Sequence, residues 1–137
     1  MSTHPYLRAY MAGIVFPTMF VLAIFGFFCV SRFAYNIEFP IERFIIFPLA
    51  LVPNLWGAWN IVYAAQHSHR RLPLGIHGAL LPAILLPLAF VAARAQDFPF
   101  PSYFATVFWL VLPGLVIIYY LVWKYIVGYF NAMLGVA

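Results

Sequence analysis

Four apolar runs, each long enough to cross a bilayer, decide what this chain can become. They extend roughly from Met11 to Ser31, Phe44 to Ala65, Leu74 to Ala93 and Tyr103 to Tyr125, and none holds an Asp, Glu, Lys or Arg before its last residues. A helix needs about 20 residues to cross a hydrocarbon core about 30 Å thick. No water reaches the backbone in lipid, so each run must satisfy its own N–H and C=O groups as a helix rather than as an open strand. The expected fold is an all-α integral membrane protein. It is a single four-helix transmembrane domain over residues 1–137, running up-down-up-down.

Composition excludes the alternatives. Charged residues make up 7% of the chain and hydrophobic residues 66%, whereas a soluble domain carries about 25% charged residues. So few charges cannot cover a water-facing surface, and lipid has to do it. The net charge of +4 is small and dispersed, which argues against nucleic acid as a partner. The lone cysteine, Cys29, has no internal partner for a disulfide and reads as a small apolar residue. After the first run, Cys29-Val30-Ser31-Arg32-Phe33 lacks a small-residue cleavage pattern, so that run reads as a retained helix.

Prolines 17, 48, 53, 82, 87 and 113 fall inside the runs and predict a bend in every helix. Asn54 follows Pro53 and is expected to donate to a carbonyl freed by the bend. On a helical wheel Asn54, Gly57, Ala58, Ile61 and Ala65 share one face, and Trp56, Trp59 and Tyr63 the other, with Asn60 at the border. Small residues let membrane helices approach closely, so the Asn54/Gly57/Ala58 face is predicted inward and the Trp/Tyr face toward lipid or a partner. Lys124, with Tyr119, Tyr120, Trp123 and Tyr125, has the composition of an interfacial belt. Residues after 125 are expected to leave the membrane or lie along its surface.

The joints carry the charges. Arg32, Glu38, Glu42 and Arg43 crowd the first joint and are spaced for local ion pairs. His67, His69, Arg70 and Arg71 fill the second, with His77 in the next helical turn. Lys and Arg decide orientation. Arg8, Arg70, Arg71 and Lys124 on one side outweigh Arg32, Arg43 and Arg94 on the other, which places both termini in the cytoplasm.

Three sets of residues are candidates for chemistry. Asn54 and Asn60 form a candidate polar site within the membrane, where such side chains face protein or a cavity. Arg70, Arg71 and Lys124 are candidate contacts for lipid headgroups or another anion. His67, His69 and His77 are a candidate metal or haem site if their rings converge, though no carboxylate on that side would orient them. The sequence requires no cofactor. It contains no HExxH, GxSxG, P-loop or CxxC pattern, and the three acids lie opposite the histidines, so the chain leans away from catalysis. The leading expectation is a non-catalytic accessory or scaffold subunit, or a homo-oligomer, whose partners are the bilayer and other membrane chains. An oligomeric transporter or channel around Asn54 and Asn60 is the alternative. Pro17/Pro82, Pro48/Pro113 and three Phe pairs recur at an offset of 65 residues and suggest a parallel repeat of two helical hairpins.

Overall fold

The computed structural model describes residues 4–38, 41–66, 72–97 and 103–136. Among them the chain is all-helical, with four helices long and apolar enough to cross a membrane. These are α1 (Pro5–Tyr35), α2 (Ile41–Ala65), α3 (Leu74–Ala95) and α4 (Thr106–Met133). At about 1.5 Å per residue they measure roughly 33 to 46 Å, somewhat more than a hydrocarbon core.

The prolines are absorbed in three ways. Pro17 lies in α1 without interrupting it. Pro48 lies in a wide π turn, Ile45–Leu49, after which the Ala50 N–H reaches Ile45 O. A proline donates no hydrogen bond and crowds the carbonyl four residues back, and the wider turn relieves both. α3 breaks at Leu80–Leu81, immediately before Pro82, which opens its second stretch, Pro82–Ala95. α4 ends in a Schellman motif. Gly135 adopts φ +65, Val136 N–H donates to Asn131 O at 2.9 Å, and Gly135 N–H to Ala132 O at 3.2 Å.

α1 and α2 pack antiparallel along their length. At one end the Phe28 and Phe44 rings meet edge to face at 4.9 Å. Toward the other end Gly13 lies against the α2 backbone, where a Cβ would sit 2.7 Å from Trp56 O and 3.0 Å from Gly57 Cα. α3 and α4 are also antiparallel but touch mainly at one end. There Gly75 and Gly78 make room for Tyr120 and Trp123, and a Cβ on Gly78 would lie 1.9 Å from Trp123 Cγ. The buried core, Trp56, Leu81, Leu85, Trp123 and Val127, belongs to this same end. Beyond it Pro82–Ala95 scarcely touches α4, and an apolar groove of about 850 Å³ opens between them.

Three expectations are corrected. The inward face of α2 is Pro53, Trp56, Gly57 and Asn60, while Asn54 and Ala58 are exposed. Trp56 turns inward because Trp123, Tyr119 and Phe16 build an aromatic site for its ring, and the small residues Gly13 and Gly57 meet on the adjoining edge. Trp123 is not a belt residue: it is fully buried, because Gly78 leaves a space that an indole fills. Of the two courses expected after Tyr125, α4 does not turn aside along a surface: it continues through a second wide turn, Val122–Val127, to Met133 and buries Val127 and Asn131 against the bundle.

Candidate functional site: a buried polar and aromatic cluster

Three buried polar side chains, Asn60, His77 and Asn131, gather at the end where all four helices meet. Asn60 on α2 is fully buried. Its Nδ2 donates to Asn131 Oδ1 of α4 at 2.7 Å and to Ala9 O of α1 at 2.7 Å. Asn131 Nδ2 donates back to Asn60 Oδ1 at 3.1 Å. This reciprocal amide pair uses both Nδ2 protons of Asn60 and ties three helices together. One turn away, Arg8 Nη1 donates to Leu134 O at 2.9 Å and satisfies a carbonyl left over at the end of α4.

His77 lies on the other side of α2 and is 1% exposed. Its Nε2 is 2.9 Å from Trp59 O, and Trp59 Nε1 donates to His77 O at 2.8 Å. A carbonyl can only accept, so Nε2 carries the proton in this contact. The His77 and Trp59 rings stack at 4.7 Å, 19° from parallel. Tyr63 and Trp123 close the remaining sides at 5.3 and 5.7 Å. Trp123 carries the aromatic contacts on to Trp56 at 5.4 Å, and Trp56 to Tyr119 at 5.1 Å. Buried polar groups in a low-dielectric interior are costly unless paired. For Asn60, Asn131 and His77 the pairing doubles as the contact between helices, whereas the buried Trp56 and Trp123 indole N–H groups make no hydrogen bond among the described residues.

The candidate residues are therefore distributed. Asn54 and Asn60 do not share a site. Asn54 is exposed, accepts from Tyr10 Oη, and donates Nδ2 to Ala50 O at 2.6 Å. The carbonyl freed by Pro53 is that of Leu49, one residue earlier, so Asn54 bonds beside the gap rather than in it. His67, His69, Arg70 and Arg71 lie outside the described residues. Among the described residues no three His, Cys, Asp or Glu side chains gather around a point. Lys124 is exposed, with Nζ 5.7 Å from the Tyr120 ring and 5.2 Å from the Tyr125 ring. At the opposite end Arg32 Nη1 pairs with Glu42 at 2.9 Å, and Cys29 is half-buried.

Sequence reasoning missed Asn131, Ala9, Gly13, Gly75 and Gly78. Asn131 had a readable signal, since it stands four residues after Val127 and eight after Trp123, on one helix face. The pairing of Trp59 with His77 had none, because it depends on how α3 crosses α2. Comparison with family models, with curated proteins and with solved structures finds no match.

Proposed function

We propose that this chain is a non-catalytic multi-pass membrane protein, acting as an accessory or scaffold subunit or as a homo-oligomer. It would cross the membrane four times with both termini on the cytoplasmic side. The observation that carries this reading is the state of the buried polar groups. Asn60, Asn131 and His77 direct their hydrogen bonds at one another or at neighbouring helices. Groups used in this way hold a bundle together. The groove is lined by apolar side chains and offers no polar path. The sequence count supports the orientation: Arg8, Arg70, Arg71 and Lys124 on the side of the termini outnumber Arg32, Arg43 and Arg94 on the other, four against three.

The alternative, a transporter or channel, needs water to reach Asn60. The test is Asn60→Cys in a Cys29→Ser background, treated with a membrane-impermeant thiol reagent. The scaffold reading expects position 60 to stay unlabelled while a cysteine at exposed Ala65 reacts. Labelling at position 60 at a comparable rate would overturn it in favour of a hydrated pathway.

A further inference from the structure

We infer that the groove between α3 and α4 is a binding site for an anionic phospholipid, with an acyl chain along the groove and its phosphate at Arg94. This goes beyond the scaffold reading and does not depend on it. The groove's volume of about 850 Å³ falls within the range of ligand pockets, roughly 300–1,000 Å³. Its walls are aliphatic and aromatic, from Ala79 to Ala93 on α3 and from Phe108 to Val116 on α4. The 14 residue steps between Ala79 and Ala93 cover about 21 Å of helix, a little more than the roughly 15 Å of hydrocarbon in one leaflet. One end is shut where Gly75 and Gly78 take in Tyr120 and Trp123. The site is therefore a blind apolar slot, deep enough for a chain and closed where the chain would end.

The open end is charged. Arg94 follows directly on Ala93 of the groove wall and is exposed. Its guanidinium lies 5.3 Å from the Phe90 ring, and Phe90 is itself part of the wall. Asp97, the acid nearest in sequence, makes no ion pair with it, and Arg94 has no carboxylate partner among the described residues. A guanidinium on an aromatic face keeps its N–H edges free, and those edges match a phosphate two at a time. Chain slot and phosphate fork thus stand in the order in which a phospholipid presents them.

The full chain in mild detergent, titrated with phosphatidylglycerol or phosphatidylcholine of the same acyl chains, tests this by native mass spectrometry of bound lipid. The wild type should retain phosphatidylglycerol about tenfold better, as expected for a charge-assisted fork. Arg94→Gln, at an exposed position, should abolish that preference. Arg32→Gln, at a guanidinium already paired with Glu42, should preserve it. Ala89→Phe, which fills the slot, should reduce retention of both lipids. Equal retention of the two lipids by the wild type would overturn the proposal, as would equal effects of Arg94→Gln and Arg32→Gln. A lipid-free dimer dissociated by Ala89→Phe would also overturn it, making the groove a contact between copies.

Discussion

His77 and Trp59 hold each other twice. The imidazole reaches the Trp59 carbonyl at 2.9 Å, and the Trp59 indole reaches the His77 carbonyl at 2.8 Å. Each side chain satisfies the other's backbone while their rings stack at 4.7 Å. Two consecutive helices are thereby fixed in rotation as well as in distance, because both bonds survive only at one crossing.

Replacing His77 should show this. His77→Ala removes the ring from between Trp59 and Trp123 and opens a cavity, with an expected loss of roughly 2–4 kcal/mol by comparison with other large-to-small core changes. Trp59→Phe keeps most of the stack and loses one hydrogen bond, for which about 1 kcal/mol is typical in membrane bundles. Unfolding in a denaturing-detergent titration gives both values. An Ala variant no weaker than the Phe variant would contradict the assignment of His77 as a packed structural residue.

The Asn60–Asn131 pair predicts non-additivity. Asn60→Leu or Asn131→Leu alone strands a buried amide, at about 1–3 kcal/mol each. The double change removes both amides together and should cost clearly less than the sum. A double-mutant cycle by the same titration measures the coupling. Simple addition would mean that the two amides do not bond across α2 and α4.

The glycines separate into contact and open positions. Gly78→Ala would set a methyl group 1.9 Å from Trp123 Cγ, so α3 and α4 must part, at a cost of about 3 kcal/mol or more. At Gly26 a methyl group meets nothing within 4 Å, and Gly26→Ala should stabilise its helix by up to about 1 kcal/mol. Opposite shifts in the melting temperatures of the two variants are expected; shifts of the same sign would place the α3–α4 contact elsewhere.

The four spans were legible because length and the absence of charge suffice to mark a membrane-length helix. The faces were not. A rule that turns small residues inward succeeded for Gly57 and failed for Ala58, since each lies beside a different neighbour. A rule that turns Trp outward failed for Trp56 and Trp123, whose rings face each other across the core. At the 65-residue offset, Gly13 and Gly78 each lie at a close helix contact four residues before a buried proline, but α1 runs through Pro17 whereas α3 breaks before Pro82. The His77 and Asn60 contacts join residues 18 and 71 positions apart, and only the relative placement of whole helices brings such partners together.

The mass of the intact assembly tests the scaffold account most directly. The chain should be purified from its own membrane in mild detergent and weighed under native conditions, with co-purifying chains identified. A particle of fixed stoichiometry holding more than one 15.6 kDa chain, or this chain with a defined membrane partner, is the predicted result. A single chain carrying only lipid would contradict it.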